Sequence, residues 1–391
     1  LSALKGLKIE TPTPIQIKSI PTGLTGQDLI GVAQTGTGKT FAFGIPMIER
    51  LAVIKGQGLI LLPTRELALQ VDENLRQLGG RMGLRTVSLI GGQAIGNQLT
   101  SLRKNPHIFI ATPGRLIDHL QRGSVRLDRV KILVLDEADR MFDMGFAPQI
   151  EEIIRRVPKE RQTMLFSATM PRAILKLASV HMTMPIHIEV APPGTTVELV
   201  DQEIYVMRKE DKYRQLEKIL REHQGSVLVF TRTKYGAKNL ARMLDRAGHE
   251  VAEIHSNLSF NQRKESMAGF KSRKYRILIA TDIAARGIDV TDIELVVNYD
   301  LPDDSEDYVH RIGRTARAGK IGKAISFATP DQGSDVRSIE RLINKKLTLK
   351  KFAEMEQAGT RPFVRRYGRT MSFGRSAARR SRPPMGRRRG R

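Results

Sequence analysis

A glycine-rich run at residues 33 to 40, AQTGTGKT, carries the residue types that bind a nucleoside triphosphate. It follows an apolar run and precedes a helical pattern, so its backbone N–H groups can surround phosphate oxygens at a helix N-terminus. Lys39 would reach the β- and γ-phosphates, and the Thr40 hydroxyl would bind Mg²⁺. An ordinary glycine-rich turn is the less favoured alternative. The predicted nucleotide-binding residues are Ala33 (where the usual pattern has glycine), Gln34, Thr35, Gly36, Thr37, Gly38, Lys39 and Thr40.

Two acids, Asp136 and Glu137, end the apolar run of ILVLDEAD. The carboxyl end of a strand in a parallel sheet is where ligands bind, so both acids are placed for chemistry on a nucleotide. Asp136 suits Mg²⁺, held through water, and Glu137 suits the orientation or deprotonation of an attacking water. A solvated acidic helix start is the alternative, because acids are common at helix N-termini. The earlier glycine-rich run favours the catalytic interpretation.

Short apolar runs rich in β-branched residues alternate with helix-like segments along the chain. Such runs predict strands buried on both faces of a parallel sheet. A first series comprises residues 29–33, 58–63, 86–91, 108–112, 132–137 and 163–169, and a second comprises residues 227–231, 251–256, 276–282, 295–300 and 324–329. The Pro/Gly/Thr-rich segment VAPPGTT separates the two series. We predict two tandem doubly wound α/β domains, residues 1–190 and 199–347, with a short linker at 191–198.

The charge of the chain is strongly positive. The sequence holds 65 Lys+Arg and 41 Asp+Glu, a net charge of +24, which predicts a polyanionic partner such as nucleic acid, an acidic membrane or a ribosome surface. Residues 361 to 391 contain 12 Arg and no acid, so residues 348–391 are predicted to form a disordered Arg-rich tail. The absence of Cys excludes disulfides, thiolate zinc sites and thiol catalysis. No apolar run is long enough for a membrane span, and we expect a soluble cytoplasmic protein.

Eight motifs, in order along the chain, resemble those of the DEAD-box ATP-dependent RNA helicases. They are AQTGTGKT, PTREL (63–67), GG (91–92), TPGR (112–115), DEAD (136–139), SAT (167–169), ATDIAARGID (280–289) and HRIGRTAR (310–317). The resemblance implies two RecA-like domains that bind ATP and Mg²⁺ and couple RNA-dependent hydrolysis to local, non-processive RNA unwinding or remodelling. The segments DRMFDMGFAPQI, PPGTTVELV and DLPDDSEDYVHRIGRTARAG further resemble the bacterial RhlE-type branch.

The resemblance also assigns residues around the adenine base. The segment PTPIQ (12–16) is similar to the adenine-sensing motif and makes Gln16 the partner of the adenine edge, because an amide both donates and accepts hydrogen bonds. Ile9 stands where the family has an aromatic residue that stacks on adenine, and Lys8 stands where it has glycine. We therefore expect weaker adenine selectivity.

A third group of implied residues joins the two domains around ATP. Arg314 and Arg317 would reach the γ-phosphate, whose oxygens a guanidinium can hold bidentately. A solvated basic helix is the alternative for this motif. The resemblance gives roles in coupling and in the closed interface to Ser167, Thr169, Asp289 and His310.

RNA contacts are implied at positions that suit phosphate and 2′-OH recognition without base reading. Sequence-independent RNA binding follows. The residues are Thr64, Arg65, Gly92, Thr112, Arg115, Thr231, Arg263, Thr281 and Arg286. Phe260 replaces the Gln of the family's QxxR motif, and we favour a core role for it over an altered domain contact. The scattered His107, His119 and His223 lack metal-ligand spacing and are expected to be structural.

Two other functions stay open at this stage. A non-unwinding RNA clamp, in which ATP locks the protein onto RNA for a partner, would carry the same motifs. A DNA helicase is the second alternative, although the DEAD motif and the hydroxyl-rich backbone motifs favour RNA. Ribosomal particles and RNA-decay proteins are candidate partners.

Overall fold

The computed structural model describes residues 4, 6, 9–33, 36–190, 200–282, 293–316 and 322–351. Within these residues the chain forms two α/β domains, each built on a sheet of seven parallel strands. The predicted fold class, two tandem doubly wound parallel-sheet domains, is confirmed. The predicted linker at 191–198 lies outside the described residues.

The first domain has the strand order β3-β4-β2-β5-β6-β1-β7. Its strands β1–β7 are Leu29–Val32, Gln57–Leu61, Thr86–Leu89, Ile108–Ala111, Val130–Asp136, Gln162–Ser167 and Ile186–Glu189. Its helices α1–α8 are Pro14–Thr25, Lys39–Val53, Arg65–Gly79, Ile95–Leu102, Pro113–Gln121, Ala138–Asp143, Ala147–Arg156 and Arg172–His181, with a 3₁₀ turn at Gly80–Met82.

The second domain repeats this architecture, with the strand order β10-β11-β9-β12-β13-β8-β14. Its strands β8–β14 are Val200–Val206, Val227–Phe230, Val251–Ile254, Ile277–Ala280, Leu295–Asn298, Gly322–Ala328 and Thr348–Lys351. Its described helices α9–α13 are Lys212–Glu222, Lys234–Arg246, Phe260–Lys271, Ser305–Ile312 and Gly333–Leu342. Two 3₁₀ turns occupy Lys209–Asp211 and Pro330–Gln332.

Each sheet is buried on both faces, which explains why its central strands are apolar without alternation. In β2, Leu59 and Leu61 pack into one hydrophobic cluster, whereas Ile60 packs into the cluster on the opposite face. This follows from the two-residue period of a strand. Helices cover both faces, so each domain has two cores separated by its sheet.

The sequence analysis did not predict three of the strands, and the position of one of them changes a predicted domain boundary. The strands β7, β8 and β14 lie outside the predicted apolar series. Strand β14 pairs with β8 from Thr348 to Lys351, so the sheet of the second domain extends past the predicted boundary at residue 347. The predicted disordered tail was therefore wrong at residues 348–351, and its remainder, 352–391, lies outside the described residues.

The parallel direction of all strands brings their carboxyl ends to one edge of each sheet. In the first domain this edge carries the loops after β1, β5 and β6 and the helix starts after β2 and β4. The motifs of the first domain, which are spread between residues 33 and 169 of the sequence, thus meet at one edge of its sheet. No helix among the described residues is long and apolar enough to cross a membrane.

Candidate active site and nucleic-acid cleft

The described part of the loop between β1 and α2 contains two glycines whose backbone suits a phosphate-binding turn. Gly36 and Gly38 have φ angles of 84° and 90°, in the left-handed region that favours glycine. Lys39 is the first residue of α2 and is buried. Its Nζ donates to the carbonyl oxygen of Ala33 at 3.0 Å and lies 4.0 Å from Oδ1 of Asp136. The lysine therefore lies between the loop and the acid, while Gln34 and Thr35 lie outside the described residues.

Two buried acids lie at the carboxyl end of β5, and their surroundings give them different pKa values: Asp136 is the last residue of the strand and Glu137 follows it. Burial raises the pKa of Asp136 to about 6, against the opposing charge of Lys39. Burial would also raise the pKa of Glu137, but the cations Arg140, Lys39 and Arg314 outweigh burial and lower it to about 2. Glu137 thus stays ionised, whereas the charge of Asp136 responds to pH near neutrality.

The backbone of Glu137 is strained. Its φ of 51° lies in the left-handed region that residues with a side chain seldom adopt. The Nη1 of Arg140 donates to its Oε2 at 2.5 Å, with both side chains buried. Such backbone strain clusters at functional sites, where the surrounding structure holds it in place.

The SAT segment at the end of β6 is tied to the DEAD segment through Asp139. The backbone N–H of Asp139 donates to Oγ of Ser167 at 3.1 Å. Oδ2 of Asp139 accepts from the backbone N–H of Thr169 at 2.8 Å and from its hydroxyl at 2.9 Å. Asp139 was missing from the predicted site residues, although it belongs to the predicted motif.

The second domain contributes a cation to this site. Arg314 is buried, its Nε donates to the carbonyl oxygen of His310 at 3.3 Å, and its charge lowers the pKa of Glu137 in the first domain. Arg140 of the first domain and Arg314 line the same small cavity. His310 is near Asp307, at 3.9 Å between Nδ1 and Oδ1. The predicted Arg317 and Asp289 lie outside the described residues.

A second cavity, of about 510 Å³, opens between the domains. Six of the predicted RNA residues line it: Thr64, Arg65, Gly92, Thr112, Arg115 and Arg263. Thr64 and Thr112 are the N-cap residues of α3 and α5, so two helix N-termini face the cavity. Burial lowers the pKa of Arg65, and the nearby Arg263 lowers it further. Clustered guanidinium groups of this kind are stabilised by an anion.

The remaining predicted RNA residues are placed differently. Thr231 and Thr281 follow β9 and β11 at the carboxyl edge of the second sheet and are buried. Neither lines the cavity described above. Arg286 lies outside the described residues.

The sequence of the chain matches a known family of proteins. Residues 13–177 match the DEAD/DEAH box helicase family, and residues 211–319 match the helicase conserved C-terminal domain. The chain is 43% identical over 359 residues to the DEAD-box ATP-dependent RNA helicase CshA of Bacillus licheniformis, covering 91% of this chain and 74% of that protein. It is 44% identical over 350 residues to ATP-dependent RNA helicase CshA of Listeria monocytogenes, covering 89% and 67%.

The chain belongs to the DEAD-box helicase family. This membership confirms the prediction of an ATP-dependent RNA helicase with RNA-dependent ATPase activity. It does not specifically support the RhlE-type branch, because the relatives named above are CshA helicases.

Solved structures of DEAD-box helicases show the same fold. Mss116p bound to ssRNA and AMP-PNP superposes with a TM-score of 0.83 at 31% identity, covering 91% of this chain and 77% of that one. S. cerevisiae Dbp5 bound to RNA and ADP BeF3 gives 0.80 at 30% identity, covering 91% and 94%. A DEAD box protein from Methanococcus jannaschii gives 0.53 at 41% identity, covering 90% and 95%. The TM-scores of these three structures therefore do not rise with their sequence identity to this chain.

At the predicted adenine end of the helicase site, the side-chain amide of Gln16 already has hydrogen-bond partners within the protein. Gln16 is buried in α1, its Oε1 accepts from the backbone N–H of Thr13 at 3.0 Å, and its Nε2 donates to the carbonyl oxygen of Gly38 at 3.0 Å. Gln16 thus contacts the phosphate-binding loop itself. Ile9 is half-buried, and Lys8 lies outside the described residues.

The interpretation of Phe260 as a core residue of its own domain was wrong. Phe260 begins α11 in the second domain but packs, partly buried, against a hydrophobic cluster of the first. Close by, Nη2 of Arg263 lies 3.1 Å from Oε2 of Glu66, an ion pair across the cleft without hydrogen-bond geometry. An apolar contact and a charged contact therefore join the domains beside the predicted RNA residues, and the apolar one agrees with the alternative that gave Phe260 a role in the domain contact.

The sequence analysis assigned no role to Arg311, although this residue belongs to the motif HRIGRTAR. Arg311 is fully buried, donates to both carboxylate oxygens of Asp282 at 2.5 and 2.7 Å, and bonds the carbonyl oxygen of Asp300 at 2.6 Å. Its guanidinium also lies 5.0 Å from the ring of Phe230. It holds α12 on the sheet and so positions His310 and Arg314. The expected structural role of the histidines fits His119, whose ring is buried between Gln98 and Ser124.

Proposed function

We propose that this DEAD-box helicase hydrolyses ATP between its two domains and uses the closed state to separate short RNA duplexes locally. The observation that supports this most directly is that Arg314 lines the same small cavity as Arg140, the partner of Glu137, because this brings a cation of one domain to a buried acid site of the other. A site assembled from both domains is complete only when the domains close. ATP and RNA that each contact both domains would then favour the same closed state.

In this proposal, Lys39 binds the β- and γ-phosphates and Glu137 orients or deprotonates the attacking water. Arg314 and Arg317 stabilise the charge of the transition state across the cleft. Gln16 holds the loop and the base edge. Asp139, Ser167 and Thr169 pass the state of the ATP site to the domain contact through their shared hydrogen bonds.

The proposed Mg²⁺ site fits the residues present. Thr40 and Asp136 offer oxygen donors, and Mg²⁺ beside a nucleotide takes most of its remaining ligands from phosphates and water. No group of three or more His, Cys, Asp or Glu among the described residues could hold a metal without such help. When bound, the ion would neutralise developing negative charge on the phosphates.

RNA is proposed to bind through its backbone. The cavity between the domains combines three arginines with two helix N-termini, which suits phosphates and reads no bases. The remaining predicted contacts, Thr231, Thr281 and Arg286, would extend the path over the second domain. We further propose a cytoplasmic location and a substrate among ribosomal or decaying RNA particles, in keeping with the charge of +24. Assignment to the RhlE-type branch stays a prediction.

One experiment separates helicase action from the two alternatives. ATP turnover and release of a labelled strand are measured together on short and long duplexes, with matched RNA and DNA strands as competitors. We expect RNA to stimulate turnover, DNA to compete poorly, and strand release to fall steeply with duplex length. Turnover without any release would support the clamp, and equal competition by DNA would contradict RNA preference.

Glu137→Gln is the matched control for that experiment. It keeps the shape of the side chain but removes the base, so strand release should slow with ATP turnover while RNA binding in the presence of ATP persists. An RNA off-rate as fast as that of the parent would contradict the role of Glu137.

A further inference from the structure

The second domain contains a cavity of about 810 Å³ that the proposed ATP and RNA sites do not use. It opens at the carboxyl edge of the second sheet, between the ends of β8, β9, β12 and β13. Its position has a counterpart in the first domain. The strand orders of the two sheets coincide when seven is added to every strand number, so β8 corresponds to β1, the strand before the phosphate-binding loop.

The correspondence extends to two side chains. Lys39 is the first residue of the helix after β1, and Lys212 is the first residue of the helix after β8. Asp136 ends β5, and Asp300 follows the corresponding strand, β12, by two residues. The Nζ of Lys212 donates to Oδ1 of Asp300 at 2.9 Å and to the carbonyl oxygen of Tyr299 at 2.8 Å.

The loop between strand and helix is where the two domains differ. Residues 207–211 contain no glycine, so their backbone cannot surround a phosphate as residues 33–38 can. Side chains supply the positive charge instead. The cations that line the cavity are Arg208, Lys209, Lys212 and Arg232, against the acids Asp300 and Asp331.

These cations differ in their exposure and in the ion pairs that they form within the protein. Lys212 is buried and paired. Arg208 and Arg232 are about half exposed and pair with Asp211 at 3.0 Å and Asp303 at 3.3 Å. Lys209 is exposed and forms no ion pair with any described residue. Lys209 and Arg232 can therefore turn toward a ligand, since surface ion pairs contribute little stability, whereas half-exposed Arg208 would offer its guanidinium from its place beside buried Asp211.

We propose that this cavity binds the di- or polyphosphate group of a small ligand through the side chains of Arg208, Lys209 and Arg232. Its volume exceeds that of one phosphate and lies within the range of small-molecule sites. Guanidinium groups hold phosphate oxygens bidentately, and two of them on different loops can hold adjacent phosphates. The hydroxyls of Thr233 and Thr329 also line the cavity and add hydrogen-bonding groups.

The test is the reactivity of Lys209 toward an amine label in the full chain, read peptide by peptide by mass spectrometry. Pyrophosphate is the probe, single-stranded RNA is the second arm, and exposed Lys159 in the first domain is the reference lysine. At a pyrophosphate concentration that fills about nine-tenths of the sites, labelling of Lys209 should slow about tenfold while Lys159 is unchanged. Reading individual peptides separates this site from anion binding elsewhere in the chain.

Three variants separate the cavity from the ATP site. Protection of Lys209 should persist in Lys39→Ala and be lost in Arg208→Gln and in Arg232→Gln, both checked by thermal unfolding to be folded at the labelling temperature. The proposal would be overturned if pyrophosphate left the labelling of Lys209 unchanged, or if both Gln variants were protected as strongly as the parent. Protection by RNA with none by pyrophosphate would also overturn it, because the phosphates would then belong to an RNA strand.

Discussion

The loops after β1 and after β8 occupy the same corner of two sheets with the same strand order, yet only the first has the loop for ATP chemistry. In the first corner, glycines leave Lys39 4.0 Å from Asp136. In the second, a loop without glycine leaves Lys212 2.9 Å from Asp300. Both sheets thus have a carboxyl edge at which a ligand can bind. The loop after the strand decides whether the lysine is available to a phosphate, as for Lys39, or is paired with an aspartate, as for Lys212 and Asp300.

In the proposed function, the second domain contributes to the ATP site through a different element. Arg314 follows α12 and lines a small cavity with Arg140, the partner of Glu137, and buried Arg311 fixes that helix against the sheet. One domain therefore holds the nucleotide-binding loop while the other holds the cation. Predictions on the two corners test this division.

The largest effect is expected at the first corner. Lys39→Ala should abolish ATP turnover, because it removes the cation placed to meet the β- and γ-phosphates. RNA-stimulated phosphate release measures the change, with thermal unfolding as the control for folding. Turnover above about a tenth of the parent rate would make the assignment of this loop wrong.

The equivalent change at the second corner should affect stability instead of chemistry. Lys212→Ala leaves Asp300 without its main partner, and because that acid is about a quarter exposed, we expect a loss of about 2 to 3 kcal/mol in the free energy of unfolding. Denaturant unfolding gives this value. ATP turnover, measured where the variant is folded, should stay near that of the parent, and a turnover loss like that of Lys39→Ala would contradict the comparison.

A smaller effect is expected from pH at the first corner. Burial raises the pKa of Asp136 to about 6, so this acid gains a proton as pH falls through that value, whereas Glu137 stays ionised. Only about a tenth of Asp136 would be ionised at pH 5, so kcat/KM for ATP should fall about tenfold from its value at neutral pH. Added Mg²⁺ should partly restore it. A flat profile down to pH 5 would contradict this role of Asp136.

The smallest effect is expected where the adenine base would bind. Ile9→Phe adds an aromatic face, and stacking of this kind contributes about 0.5 to 1.5 kcal/mol. The apparent KM for ATP relative to GTP should therefore fall about twofold to tenfold. Ile9→Leu is the control, because it changes shape without adding a ring. An unchanged ratio in Ile9→Phe would mean that Gln16 alone selects the base.

The sequence predicts strands well where burial on both faces leaves an uninterrupted apolar run, as in β5. The prediction fails for strands at or next to the edge of a sheet, because these strands need not be apolar on both faces. Edge strand β7 exposes three of its four residues. Strand β8 carries Asp201, Gln202 and Glu203, and its Gln202 is buried because it accepts from the hydroxyl of Tyr308 at 3.0 Å. A partner that is distant in the chain cannot be read from the strand itself.

The same limit applies to the site. Lys39 and Glu137 follow from local motifs, because loop and strand end fix where they lie. Arg311 does not, because its buried role depends on Asp282, 29 residues earlier in the chain, while its own neighbours suggest a solvated basic helix. A local sequence pattern predicts a functional residue when one segment fixes its position. A residue whose role depends on an ion pair with a distant part of the chain can be recognised only in the folded structure.

We propose that the cation of the second domain acts on ATP bound to the first, a claim that single-turnover hydrolysis can test. Arg314→Ala should bind ATP nearly as tightly as the parent but hydrolyse it about 10³ to 10⁵ times more slowly at saturating ATP and RNA. Arg314→Lys should recover little, because an ammonium cannot hold phosphate oxygens bidentately. Arg337→Ala, an exposed arginine of α13, should match the parent. Weaker ATP binding with an unchanged rate at saturation would contradict the claim.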